Sequence, residues 1–404
     1  MKKLLVLAMV LVLAAPMFAE MSIGGEFDYY LVNGFESVGA GDDDSFARNW
    51  DKGEIDFKAS VGDYSQVRIE LEEDGAWNRR DLDAGGNRMY TVRDAREGSP
   101  SFNYFRVITD WGKFFGLDGI GIKTDIGLNS WETKDGVDFT GYNYEYFDNW
   151  EQPLLTKDFG AKIDLSFVDG LVQPYFAWVF NTVTYENQAA NGDDINAEFL
   201  VGSGFDFNAM GLPLWFEAYY YDMREEDQNL FAAEAMYDLA IGDMNFKIGG
   251  YIASISNGDD RGERWGFGVG FEAFGAAINV SAGGVFGEDY CDAVFGADNY
   301  SAFSAMGIDA SYDILDWLAV NAGFALAFGD YKENAAGDKA LQSFEAGVIV
   351  KPDKGVQYKL GYIYCDEDCG QGANGAQGDF WRTLNTKGLT AAKGGLYFVT
   401  KIDF

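Results

Sequence analysis

Alternation with a period of two runs through this sequence in segments of about ten residues. It restricts the chain to folds built of half-exposed strands, because successive strand side chains face opposite ways. In the last segment Leu396, Phe398, Thr400, Ile402 and Phe404 fall on one face, and Tyr397, Val399, Lys401 and Asp403 on the other. One face is apolar and the other carries charge. Val356, Tyr358, Leu360, Tyr362 and Tyr364 stand in the same way against Gln357, Lys359 and Gly361, and Trp265, Phe267, Val269 and Phe271 against Gly266, Gly268, Gly270 and Glu272. Further rows are Ile55, Phe57 and Ala59; Ile120, Ile122, Thr124, Ile126 and Leu128; Phe159, Ala161, Ile163, Leu165 and Phe167; and Phe199, Val201, Ser203, Phe205 and Phe207. The pattern predicts strands near 22–31, 50–60, 64–73, 101–110, 119–130, 157–167, 171–182, 197–208 and 212–222. It continues near 229–239, 244–255, 264–273, 275–286, 301–312, 317–328, 341–351, 356–365 and 394–404.

The connections are predicted to alternate strictly between tight and long. Val61-Gly62-Asp63, Val168-Asp169-Gly170, Ile241-Gly242-Asp243 and Pro352-Asp353-Lys354-Gly355 have the Gly, Asp and Pro chemistry of turns. Between them lie polar stretches near 31–49, 74–100, 131–156, 183–196, 287–300, 329–340 and 366–393. A soluble sandwich or propeller also alternates, but its strands average five or six residues, whereas about ten match a tilted strand crossing a bilayer. The apolar rows are nearly free of charge along their middles. Aromatics such as Trp265, Trp317, Phe328, Tyr362, Tyr364 and Phe404 stand at row ends, where interfacial girdles belong. The reading is all-β: a transmembrane antiparallel β-barrel of about eighteen strands, with sixteen as the alternative, short periplasmic turns and long extracellular loops. An even count puts both termini on the short-turn side.

Composition narrows the chemistry. Histidine is absent from the 404 residues, which removes Ser-His-Asp and Cys-His catalysis, His-bearing zinc sites and histidine pH switches. The formal charge of −35 argues against nucleic acid as a partner. Residues 1–19 begin with Lys2 and Lys3, run apolar from Leu4 to Ala15 and reach Ala19 before Glu20, the layout of a secretory signal peptide. The expected organisation is a signal peptide over 1–19 and a single barrel domain over 20–404, exported to the periplasm and placed in the outer membrane.

The signal, the amphipathic strands and a last strand ending in Phe404 resemble the Gram-negative outer-membrane porins. That resemblance implies that Phe398, Ile402 and Phe404 serve as the signal read by the barrel-assembly machinery. It also implies a homotrimer, surrounded by outer-membrane lipid and lipopolysaccharide. If the apolar rows face lipid, the other rows line the pore. Lys58, Arg68, Arg106, Lys123 and Lys162 then form a basic stretch among Glu54, Asp56, Glu70, Asp125 and Asp164. The later wall is mostly acidic, with Asp206, Glu217, Glu234, Glu272, Asp309 and Glu345, apart from Lys247 and Lys359. General porins set a basic wall against acids on an infolded third loop. The matching segment is 131–156, with Asp135, Asp138, Glu145, Asp148 and Glu151 as the constriction.

The function expected is a water-filled channel for passive diffusion of ions and small hydrophilic solutes, without enzymatic activity or cofactor. Net acidity points to a preference for cations. The alternative is a surface barrel acting as an adhesin or structural envelope protein. The plug of a siderophore-type receptor and the hatch of a fatty-acid transporter have no counterpart before the first strand. Arg79, Arg80, Arg88, Arg93 and Arg96 crowd the second long segment, where pairing with Asp81, Asp83, Asp94 and Glu97 is the simplest reading. Cys365 and Cys369 would close a small disulfide loop, Cys291 is the third cysteine, and the sequence does not fix which one is left over. Asp42-Asp43-Asp44, Asp193-Asp194 and Asp259-Asp260 offer oxygen ligands of the kind calcium takes, but none has the twelve-residue spacing of a calcium loop. They are read as solvated acidic loops.

Overall fold

The computed structural model describes residues 21–34, 46–75, 79–82, 88–91, 101–129, 158–180, 197–223, 228–242, 244–257, 260–286, 305–327, 341–365 and 394–403. Its strands are β1 (Met21–Gly34), β2 (Phe46–Val61), β3 (Ser65–Gly75), β4 (Arg79–Leu82), β5 (Arg88–Thr91), β6 (Ser101–Asp110), β7 (Ile120–Asn129), β8 (Asp158–Phe167), β9 (Val172–Phe180) and β10 (Ala197–Asp206). They continue as β11 (Leu214–Met223), β12 (Gln228–Ile241), β13 (Met244–Asn257), β14 (Asp260–Ala273), β15 (Ala276–Phe286), β16 (Ala305–Leu315), β17 (Leu318–Ala327), β18 (Leu341–Asp353), β19 (Val356–Cys365) and β20 (Gly394–Asp403).

Eighteen of these form one antiparallel sheet in which each strand pairs with its neighbours in sequence, β3 passing directly to β6. The sheet closes on itself where β1 pairs with β20, from Glu26↔Asp403 to Gly34↔Gly395. Lys401 Nζ lies 2.9 Å from Glu26 Oε2 across that seam. The fold is therefore a closed eighteen-stranded β-barrel. Closure leaves no unpaired edge among the barrel strands. β4 and β5 pair only with each other, as a hairpin on the connection between β3 and β6.

Alternation sorts the side chains as the sequence predicts. Ile23, Ile55, Phe105, Ile126, Phe159, Ile163, Trp178, Phe231, Ile252, Phe267, Ile308, Phe344 and Leu360 are exposed and point outward. Rings pack across strands on that face, as in Trp178 stacked on Phe199 at 6.0 Å and Phe344 on Tyr364 at 5.4 Å. The inward rows hold rings as well as small and charged residues. Tyr175, Tyr219, Tyr221, Tyr251 and Tyr397 are inward and buried. Inward glycines on adjoining strands make room for them. A Cβ on Gly202 would stand 2.4 Å from the Tyr175 hydroxyl and 2.8 Å from Tyr219 Cβ, and one on Gly266 would stand 2.2 Å from the Tyr251 ring.

The strict alternation of tight and long connections also needs correction. Only four residues separate β11 from β12 and only two separate β13 from β14, where the alternation calls for long segments. The β13–β14 ladder runs on to Asn257↔Asp260, so little chain is left to loop out. Asp260, expected in a loop, is the first residue of β14. On the opposite rim the connection from β6 to β7 contains a helix absent from the periodic reading, α1 (Trp111–Phe115). Asp110 caps it by accepting from the Lys113 amide at 2.9 Å, and Gly116 ends it in the left-handed conformation, φ 62°.

Candidate functional site: the charged inner wall

The inner face carries two regions of different chemistry. The first spans β2 to β8. Lys58 stands directly opposite Arg68, and Arg68 directly opposite Arg106, so three cations line up across three strands. Like charges so placed repel, and carboxylates between them relieve it. Asp56 Oδ2 lies 3.2 Å from Lys58 Nζ and 3.9 Å from an Arg68 nitrogen, and Arg106 donates to Asp125 Oδ2 at 2.8 Å. Tyr104 donates its hydroxyl to Asp56, and the Arg106 and Arg68 guanidiniums lie 4.9 Å and 5.6 Å from its ring centroid. Lys162 lies opposite Asp125, with Nζ 3.6 Å from Asp164. Gly127, opposite Arg106, has φ +148°, and a Cβ there would stand 2.1 Å from the Phe105 carbonyl oxygen; only glycine lets β6 and β7 approach so closely here.

The second region covers β9 to β20 and holds acids beneath tyrosines. Glu217 is fully buried and stands directly opposite Glu234, which is 7% exposed. Tyr175 reaches over Gly202 from β9 and donates to Glu217 on β11; Tyr221 donates to Glu198. On the far wall Glu345 accepts from Tyr397 and from Asn321 at 3.0 Å, and pairs with Lys359. Tyr397 crosses Gly361 and Gly347 to get there, and the Lys359 ammonium lies 5.2 Å from its ring centroid. Asn279 donates to Asp309 at 3.0 Å.

All five basic residues named from the sequence thus lie on the inward rows, and so do the six acids, but the acids differ in access to water. Glu217 and Glu345 are withdrawn beneath tyrosine rings and Glu234, opposite Tyr251, is buried too, whereas Glu272 is exposed. Asp206 stands at the rim, where it caps a 3-10 turn over Phe207–Met210 by accepting from the Asn208 amide at 3.0 Å. Tyr397 was placed on the charged face of the last strand, but Glu198, Tyr175, Tyr219, Tyr221 and Tyr251 were missed; their parity in the alternating pattern is the signal that finds them. Asp135, Asp138, Glu145, Asp148 and Glu151, all in the expected constriction segment, lie outside the described residues, as do Phe404, Asp42 to Asp44, Asp193, Asp194, Arg93, Arg96, Cys291, Cys369 and the expected signal peptide. Phe398 and Ile402 lie on β20, and Cys365 is the last residue of β19. Arg79, Arg80 and Arg88 fall in the β4–β5 hairpin.

A closed eighteen-stranded barrel with apolar outward rows and a charged inner wall is the fold of the Gram-negative outer-membrane porins. Solved structures carry the same fold over nearly the whole chain. That of Pseudomonas aeruginosa OccK9 (OpdG) superposes with a TM-score of 0.57 at 10% identity, covering 96% of this chain and 100% of that one. Acinetobacter baumannii OccAB2 gives 0.56 at 11% identity, with 96% and 98% covered, and Pseudomonas aeruginosa OccK8 (OprE) gives 0.53 at 9%, with 96% and 99% covered. No family model matches the sequence, and no curated protein does.

Proposed function

We propose that this protein is an outer-membrane porin, a water-filled channel for passive diffusion of ions and small hydrophilic solutes. The observation that carries the reading is the closed eighteen-stranded barrel whose inward rows hold opposed charges while its outward rows are apolar. Likeness in fold to the Occ and Opd structures supports it. The channel prefers cations, because acids outnumber bases over the chain, 65 against 30, and an acidic wall enriches counter-ions. The strip of Lys58, Arg68 and Arg106 opposes this locally. Residues 131–156 form the constriction, and Phe398, Ile402 and Phe404 direct assembly.

The test is conductance of the refolded protein in a planar bilayer, with reversal potentials under a potassium chloride gradient. Stable openings with a reversal potential set by potassium are expected. A folded barrel with no conductance would overturn the channel, and a chloride-set potential would overturn the cation preference.

A further inference from the structure

Three tyrosines of the inner wall are held in one arrangement. Each reaches past a neighbouring strand to donate its hydroxyl to a carboxylate on the next one, and each carries a cation over its ring. Tyr397 joins Glu345 to the Lys359 ammonium, and Tyr175 joins Glu217 to that of Lys162, 5.0 Å from its ring centroid. Tyr104 donates to Asp56, but its ring carries two guanidiniums, those of Arg68 and Arg106. The strand crossed differs as well. Tyr397 and Tyr175 pass over glycines, whereas Tyr104 passes over β3, where Arg68 and the buried Glu70 stand.

Register explains the crowding. Tyr104, Glu70 and Asp56 lie in one row across β6, β3 and β2, and Arg106, Arg68 and Lys58 in the next. Three cations therefore run alongside two acids and a ring. The ladder shifts by one residue just beyond, since Glu70 faces Tyr104 while Leu71 faces Phe102, leaving Asn103 over. Among the described ladders the other register shifts, at Asp313/Leu315 and Val350/Asp353, stand beside short connections. An extra residue bends its strand and re-aims the side chains beside it. Here the side chain beside it is that of Tyr104.

Arg68 is the cation that this arrangement leaves open. Asp56 could take a guanidinium in a two-point pair, yet its Oδ1 accepts from Tyr104 and its Oδ2 lies 3.2 Å from Lys58 Nζ. The Arg68 nitrogen stands off at 3.9 Å, and its Nε meets no acceptor among the described residues. The ring draws the guanidinium away from Asp56, because its negative face attracts cations, and it attracts Arg106 from 4.9 Å at the same time. We propose that Tyr104 is a specificity-determining residue of the channel: ring and hydroxyl together keep Arg68 from closing onto Asp56, so that its charge acts on ions in the lumen. A guanidinium closed onto a carboxylate projects little field, and one held clear attracts anions. The proposal deepens the channel reading and rests on it.

The selectivity of variants tests it. Reversal potentials are measured in planar bilayers under a potassium chloride gradient for the wild type, Tyr104→Phe and Tyr104→Leu. A heat-modifiable band on a semi-native gel verifies that each is folded, and Tyr104→Met serves if the leucine variant is not. Tyr104→Leu removes ring and hydroxyl, and the ratio of potassium to chloride permeability is expected to rise roughly 1.5-fold. Tyr104→Phe keeps the ring and is expected to fall between the two. An Arg68→Gln background separates positioning from packing: there, leucine at 104 should leave the ratio unchanged, because no Arg68 charge remains to be held. A Tyr104→Leu ratio equal to that of the wild type would overturn the proposal. So would a phenylalanine variant as shifted as the leucine one, or an effect of leucine that persists without Arg68. A folded wild type that carries no current would instead overturn the channel itself, a failure plain before any variant is made.

Discussion

At the residue scale, the inner wall depends on tyrosines lying across glycines. Tyr175 needs the space over Gly202 to reach Glu217, and Tyr397 needs Gly347 and Gly361 to reach Glu345. Gly202→Ala is expected to lower stability by about 1–3 kcal/mol, the usual cost of overpacking, because neither the Tyr175 hydroxyl nor Tyr219 Cβ can move freely. Tyr175→Phe keeps the ring and removes the donor to a fully buried carboxylate, for a similar loss of about 1–3 kcal/mol. Urea-unfolding midpoints of the proteins refolded into vesicles measure both. An unchanged midpoint for either would mean that the wall repacks around the change.

At the scale of elements, the three opposed cations on β2, β3 and β6 form a local field set against the acidity of the whole. Arg106→Gln removes the last cation of the row and its bond to Asp125, and is expected to raise the ratio of potassium to chloride permeability roughly twofold, since ion concentration at a wall follows its potential. Reversal potentials measure it; a ratio that falls or stays the same would place the control of selectivity elsewhere. These elements were largely legible in advance. Each barrel strand has an apolar face and a polar face, so two rows of residues report its position, and every named wall charge has the parity that points it inward. α1 escaped notice because five residues are too few to express a helical period, although Asp110 and Gly116 bracket it as caps do. The closeness of β13 and β14 in sequence escaped because acidic residues look like loop wherever they stand. The inward tyrosines were hidden for another reason: a ring counts as apolar in a periodicity reading, so its side is told only by the parity it shares with a charged residue of the same row, as Tyr219 and Tyr221 share that of Glu217. Whether a glutamate is covered depends on a residue two strands away, which no local pattern reports.

At the scale of the molecule, stability and closure are the same question. The Lys401–Glu26 pair at the seam is partly exposed, and such pairs contribute about 0–1 kcal/mol, so Lys401→Met is expected to shift the unfolding midpoint little. Removing Gly394–Asp403 should instead abolish the heat-modifiable band and all conductance, because β1 and β19 would both become open edges. A truncated protein that still conducts would overturn the seam's importance. The closing ladder joins segments from the two ends of the barrel-forming chain; the two residues of its ion pair are 375 positions apart. Every other pairing in the wall can form from neighbours as they arrive, but this one has to wait for the last strand. The barrel's slowest step is thus written into its topology. Until that step is complete, the nascent wall is a sheet with two exposed margins, each a template on which a foreign strand could pair.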